Sequence, residues 1–289
     1  MPMTRPRSSR LRGELPDHVP GLPSIGMSED IVREVLKGIP GETRVEQIDV
    51  GCTNASVYAL WTSTRMAEYL KIDRVESFNS LRREFDVLTY LRSSTSVPAP
   101  EPIALGRVGE WEYLRMSALP GFDASTDLAV TRPQALVVGL ARTLRQLHDV
   151  PVSDCPFDRR NPTLLDEARR RLEAGEVDAD DFDEERVGVD PDALLAELER
   201  ASPEPQDLVV AHGDYCLPNV VFDSQILDMG SIIDVGRLGV ADRYLDLALA
   251  ERSIRHVLGA QWVALFFDAY GVTPDPAKVS FFQALDEFF

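Results

Sequence analysis

The chain has 289 residues, of which 44% are hydrophobic and 27% charged, and its 48 acidic against 30 basic side chains give a formal net charge of −18. These values predict a soluble globular protein of one large or two modest domains, and the acidity opposes the phosphate backbones of nucleic acids. The longest apolar stretch, near residues 262–267, is far short of the roughly 20 residues that cross a bilayer, so no membrane span or secretory signal is expected.

The chain opens with Arg5, Arg7, Arg10 and Arg12 among prolines, and residues 1–23 are expected to form a disordered basic arm outside the fold. Cys52, Cys155 and Cys216 are scattered, with no CxxC and no His/Cys clustering. They fit a reducing cytoplasm, with all three as small buried side chains.

Residues 45–118 read as strands and one helix. "SVYALW" and "RMAEYLKI" have the β-branched, aromatic, alternating pattern of paired strands, whereas "FNSLRREFDVLTYLR" has helical spacing. "SVPAPEP" interrupts the pattern, and "EWEYLRMSALPG" restores a strand that ends at Pro120 and Gly121. From about residue 121 the period changes to 3.6: Thr131-x-x-Gln134 reads as a capping box ahead of Leu136, Leu140, Leu144 and Leu147. Helices dominate this half. They surround a single β insertion, in which "LVVAH", "VVF" and "SII" are short strands and residues 224–230 hold the turn. A mainly β unit joined through Pro-Gly to a mainly α unit leaves a cleft between them, where ligands prefer to sit.

On the strand at residues 66–72, period-two geometry sends Ala67, Tyr69 and Lys71 to one face. Lysine is scarce here, occurring only as Lys37, Lys71 and Lys278. A lysine in an apolar strand either protects a sheet edge or holds an anion. On the following helix Leu81, Phe85, Leu88 and Leu91 share a face, and Glu84 falls among them. A carboxylate facing a core needs a partner, and Lys71 is the nearest candidate in sequence. A strand lysine held by a helix glutamate is the device with which kinases aim an ammonium at ATP phosphates. The turn "GCTNAS", residues 51–56, could lay backbone N–H groups over phosphates, although it has one glycine and no GxGxxG.

In "HGDYCLPNVVFDSQILDMGSIIDVGR", residues 212–237, a hairpin of "VVF" and "SII" would set Asn219 and Asp234 side by side at its open end, with Asp214 just upstream. An amide oxygen and a carboxylate, completed by phosphates and water, suit Mg²⁺. Asp214, off the metal, can accept a hydroxyl proton or orient that hydroxyl towards a γ-phosphate. His212 is read as structural. The other histidines, His18, His148 and His256, offer no metal-ligand motif.

"VVAHGDYCLPNVVFD", "SIIDVGRLGVADRYLDLALAERSI" and "LDEFF" closely resemble the aminoglycoside 3′-phosphotransferases, bacterial antibiotic-resistance kinases, over about residues 45–289. The resemblance implies an α+β, two-lobed protein-kinase-like fold, with a small, mainly β nucleotide-binding lobe at residues 24–119. Residues 120–289 would form the larger, mainly α catalytic and aminoglycoside-binding lobe. It implies transfer of the ATP γ-phosphoryl to the 3′-hydroxyl of a kanamycin- or neomycin-type drug with Mg²⁺, in a monomer or weak homodimer. The alternative is a kinase of the same fold with another amine-bearing or hydroxylated acceptor.

By the same resemblance, Asp214 is the catalytic aspartate, and Asn219 and Asp234 are the magnesium ligands. Lys71 contacts the α- and β-phosphates with Glu84 as its partner. Tyr69 stacks on adenine, Ser117 and Leu119 supply the hinge backbone, and Thr53 sits in the phosphate-covering loop. Asp181, Asp183, Glu184, Arg237, Arg252, Asp286, Glu287 and Phe289 surround the aminoglycoside. Ser253 stands where some relatives carry an acid. The nearly all-acid block "EVDADDFDEE", residues 176–185, would otherwise read as a solvated or mobile surface; beside Asp214 it would attract and orient a polycation.

Overall fold

The β-branched runs of the first half form one antiparallel sheet in a computed structural model, which describes residues 28–37, 44–48, 55–62, 65–75, 77–78, 80–126, 131–223 and 227–289. A short helix α1 (Ser28–Leu36) precedes strands β1 (Arg44–Ile48), β2 (Ser56–Thr62) and β3 (Arg65–Arg74). Helix α2 (Leu81–Ser94) and strands β4 (Pro102–Val108) and β5 (Trp111–Ser117) complete this lobe, with strand order β1-β2-β3-β5-β4. The expected strands and helix are all present. Three elements were not expected, α1, β1 and β4. The "PIALGRV" of β4 holds a proline at its first position and a glycine inside, both of which weaken a strand signal.

Alternation on β3 divides the sheet as the sequence predicts. One face carries Tyr58, Leu60, Leu70 and Ile72 against Ile31, Val32 and Val35 of α1. The other carries Tyr69 and Lys71, opposite Met116 and Leu114 of β5. Helix α2 packs on this second face, buries Leu81, Val87, Leu88 and Leu91, and buries Glu84 with them. Ser80 starts the helix by accepting a hydrogen bond from the Arg83 N–H, at 3.4 Å.

Beyond Gly121 come β6 (Phe122–Asp123) and the helices α3 (Pro133–His148), α4 (Asn161–Glu173) and α5 (Pro191–Ala201). Strands β7 (Leu208–Ala211), β8 (Val220–Phe222), β9 (Ser231–Ile232) and β10 (Gly239–Asp242) follow, and then helices α6 (Tyr244–Val257), α7 (Val263–Tyr270) and α8 (Pro276–Asp286). The leucine spacing of α3 is fulfilled: Leu136, Leu140, Leu144 and Leu147 are all buried. Each such burial is worth roughly 1.5–3 kcal/mol, which fixes the helix's rotation. The expected capping box does not start it. Pro133 occupies the first turn after Arg132, which makes no side-chain capping bond; proline's preset φ and missing N–H suit that position.

The single β insertion expected in this half is two small sheets. β8 pairs with both β9 and β6, and β7 pairs instead with β10. Four-residue strands such as "GVAD" carry too few alternations to announce themselves. Residues 1–23 and part of the 224–230 turn lie outside the described residues, as do Cys52 and the Thr53 loop. Cys155 and Cys216 are free and only partly buried, less so than expected. Among the described residues, no helix is long and apolar enough to cross a membrane.

Candidate active site

Lys71 comes from the inner face of β3 and Glu84 from the buried face of α2, so the packing of helix on sheet brings them together. The ammonium donates to both Glu84 oxygens, at 2.8 and 2.9 Å, and to Asp234 Oδ1 at 3.0 Å. Burial alone would lower the Lys71 pKa, but Glu84 and Asp234 outweigh it and raise the value above the usual lysine range. The lysine is therefore held charged. It is also one of the contacts through which the small lobe reaches the hairpin of the large one.

At that hairpin, Val220 pairs with Ile232 and the Ile233 N–H donates to the Asn219 carbonyl at 3.0 Å. Ile233 thus stands opposite Asn219, and Asp234 follows one residue later than the simplest register would have it. Asp234 adopts φ 57°, the left-handed region that a residue with a short polar side chain tolerates. Asn219 donates its amide hydrogens to the Asp214 carbonyl and to Asp214 Oδ2, both at 2.9 Å. That use of the nitrogen leaves the amide oxygen as the group available to a cation. An amide oxygen and a carboxylate form a hard, oxygen-only donor pair that fits Mg²⁺ sharing its remaining positions with phosphate and water. Among the described residues there is no cluster of three or more His, Cys, Asp or Glu side chains that would hold a metal without such help.

Asp214 feels several forces at once. Burial raises its pKa, Arg237 lowers it, and Asp286 and Asp234 raise it again; the net direction is upward. Asp234 moves the other way, held down chiefly by Lys71. The site thus contains one carboxylate kept firmly ionised and another more ready to take a proton. Lys71, Arg83, Glu84, Asp214, Asp234 and Arg237 all line one cavity of about 330 Å³ between the lobes.

The loop bearing Asp214 is fixed from behind by His212 and Ser253 together with Asp246, a group not singled out in the sequence. Asp246, fully buried on α6, accepts the His212 N–H at 2.7 Å and the Gly213 N–H at 2.8 Å. His148 Nε2 lies 2.9 Å from the same carboxylate, and its Nδ1 lies 2.7 Å from the Tyr270 hydroxyl. His212 is buried, as a structural histidine should be: its Nδ1 accepts the Asp214 N–H at 3.2 Å, so its Nε2 donates to the Ile233 carbonyl at 2.9 Å. It therefore braces the Asp214 loop against the residue preceding Asp234. Ser253, expected to stand where some relatives carry an acid, accepts the Leu217 N–H at 3.0 Å and supports the same loop. A signal for Asp246 existed in "RYLDLALA", where one acid sits in an apolar helical run, as Glu84 does.

In the small lobe, Tyr69 shares the Lys71 face and packs partly buried against the main core. The Ser117 N–H is taken by the Glu101 carbonyl at 2.9 Å, and the Ala118 N–H by the Ala67 carbonyl at 3.0 Å. The Glu101 N–H does not return to the Ser117 carbonyl; it donates to Ser117 Oγ at 2.8 Å. The hydroxyl stands in for the carbonyl as acceptor of that N–H, and Leu119 lies two residues further along the chain.

The remaining candidates gather on the large lobe. Phe182 is buried and packs at a tilt against Phe288, with ring centroids 6.4 Å apart, so the acidic block is anchored in the core. Arg252 donates to Asp183 at 2.9 Å and also pairs with Asp286, while Arg237 reaches Asp286 at 3.5 Å. Arg186 pairs with Glu287 at 2.9 Å, and Glu287 also accepts the Asp183 N–H. The Arg237 guanidinium lies 5.4 Å from the Phe289 ring centroid. Asp181 and Glu184 are exposed on adjoining 3-10 turns, with no ion pair among the described residues. Apart from Thr53, every candidate site residue expected from the sequence lies among the described residues. Arg186 is an addition.

Comparison with known proteins agrees with this geometry. Residues 44–282 match the model of the phosphotransferase enzyme family. An aminoglycoside 3′-phosphotransferase of Streptomyces fradiae is 42% identical over 214 residues, covering 72% of this chain and 80% of that protein. The crystal structure of an aminoglycoside-3′-phosphotransferase of type VIII superposes with a TM-score of 0.83 at 34% identity, over 90% of this chain and 98% of the other. An aminoglycoside phosphotransferase of Streptomyces rimosus, solved with ADP and streptomycin, gives a TM-score of 0.78 at 27% identity, covering 90% of this chain and 97% of that one. With the Lys71–Glu84–Asp234 contact and the Asp214–Asn219 loop in place, the match over most of the sequence settles the assignment: the chain belongs to the phosphotransferase enzyme family.

Proposed function

We propose that this protein transfers the γ-phosphoryl group of ATP to the 3′-hydroxyl of aminoglycoside antibiotics of the kanamycin and neomycin type, and so confers resistance to them. The observation that carries the reading is the meeting of Lys71, Glu84 and Asp234 within 3.0 Å, beside an Asp214 held by Asn219. The proposed division of labour places nucleotide binding in residues 24–119 and catalysis with acceptor binding in residues 120–289.

Lys71, kept charged by its two carboxylates, neutralises the α- and β-phosphates. Tyr69 supports the adenine face, and the Ser117 carbonyl with the Leu119 N–H reads its edge. Asn219 and Asp234 hold a divalent cation, which when bound draws charge from the phosphates. Asp214 accepts the hydrogen bond of the 3′-hydroxyl, points its oxygen in line with the γ-phosphorus, and takes up the proton as the bond to phosphorus forms and the bond to ADP breaks. Because Asp246, His212 and Ser253 fix its loop beforehand, little reorganisation remains for the reacting complex. On the acceptor side, Asp181, Asp183, Glu184, Asp286 and Glu287 supply negative charge for the ammonium groups. Arg237 and Arg252 set the carboxylates' orientations, and Phe289 closes the wall.

The test is ATP consumption with kanamycin, with Mg²⁺ supplied or withheld, followed by mass spectrometry to locate the phosphate. Metal-dependent turnover and a 3′-phosphorylated drug are expected. ATP turnover with another hydroxylated or amine-bearing acceptor, and none with kanamycin or neomycin, would replace this reading with a kinase of different specificity.

A further inference from the structure

Arg83 precedes Glu84 on α2 but has no carboxylate within salt-bridge distance among the described residues. Its guanidinium crosses the cleft instead. Nε donates to the Gly236 carbonyl at 2.8 Å and Nη2 to the Leu238 carbonyl at 3.0 Å. The same group lies 5.2 Å from the ring centroid of Phe157, also in the large lobe. The backbones approach closely here as well: a Cβ built on Gly236 would sit 3.8 Å from Glu84 Cβ. Arg83 therefore ties the first turn of the helix that carries Glu84 to the turn that immediately follows Asp234.

We propose that Arg83 is a positioning residue for phosphoryl transfer, an inter-lobe clasp that sets the separation between the Lys71–Glu84 pair and Asp234; the inference rests on the function proposed above. The physical ground is the shape of the guanidinium. Its planar fork can satisfy two carbonyl oxygens two residues apart, and a lysine ammonium, a point charge on a flexible stem, does not reproduce that constraint. If the clasp acts through geometry, keeping the charge will not preserve its effect.

The experiment compares Arg83→Lys and Arg83→Gln with the wild type, using Arg82→Lys at the exposed neighbouring position as control. Steady-state kinetics are measured together with amide hydrogen exchange over residues 233–242. Both Arg83 variants should lose kcat by about 10- to 100-fold, the scale on which small misplacements act. The aminoglycoside KM should change by less than about two-fold, while exchange rises at residues 235–238. Wild-type kcat with unchanged exchange, or full kcat despite a lowered melting temperature, would overturn the clasp, as would rescue by the lysine variant. If the wild type phosphorylates no aminoglycoside, the proposed function falls, and exchange at residues 235–238 still decides whether Arg83 holds that turn.

Discussion

Asp214 and Asp234 carry the same side chain, yet their pKa values are displaced in opposite directions because their neighbours differ. Burial raises the first, while Lys71 holds the second down. In the role proposed for it Asp214 serves as a base only when ionised, and a raised pKa means this form is lost at a higher pH as the solution is acidified. The acid limb of kcat/KM should therefore fall at a pH above the ordinary aspartate value of about 3.9, as a pH–rate profile will show. Asp214→Asn should lower kcat by about 10²- to 10⁴-fold, while a thermal shift with ATP persists. Glu84→Gln acts differently. It leaves the Lys71 ammonium with Asp234 as its one carboxylate, so the expected outcome is a raised KM for ATP and a lower melting temperature.

At the scale of elements, the Asp214 loop is held by short, specific fits. Gly213 adopts φ +85°, and a Cβ there would come 2.4 Å from the Arg237 carbonyl oxygen, which leaves no room for a side chain. Gly213→Ala should consequently displace both the Asp214 loop and the turn after Asp234. Activity should fall far more than for a substitution at the open Gly188, where nothing lies within 4 Å. Asp246→Leu would strand two buried N–H groups, each costing about 1–3 kcal/mol, and should appear as a lowered urea midpoint. Much of this region was legible in the sequence. Helical phase placed Glu84 in the core, and hairpin symmetry brought Asn219 and Asp234 to one end. What escaped notice has a physical reason. Asp246 acts through backbone N–H groups 33 and 34 residues away, a pairing with no local periodicity. β10 owes its existence to pairing with β7 rather than to its own four residues.

For the whole molecule, the net charge of −18 forms a long-range field that draws in a polycation before any contact is made. Added salt shortens its reach to about 8 Å at 0.15 M, so the aminoglycoside KM should rise with ionic strength while kcat holds nearly constant. The arginines limit how far this field acts inside the site. Arg186, Arg237 and Arg252 already occupy Asp183, Asp286 and Glu287, and under the proposed acceptor assignment an incoming drug would have to share those carboxylates. The two faces of the small lobe's sheet lead to a different conclusion. Leu70 and Ile72 belong to a local cluster with α1, whereas Leu114, Met116 and the buried leucines of α2 are continuous with the leucines of α3. A polypeptide severed at the Pro-Gly hinge would therefore bare oily surface on both pieces. The two halves should melt together in a single calorimetric transition and should not survive expression apart.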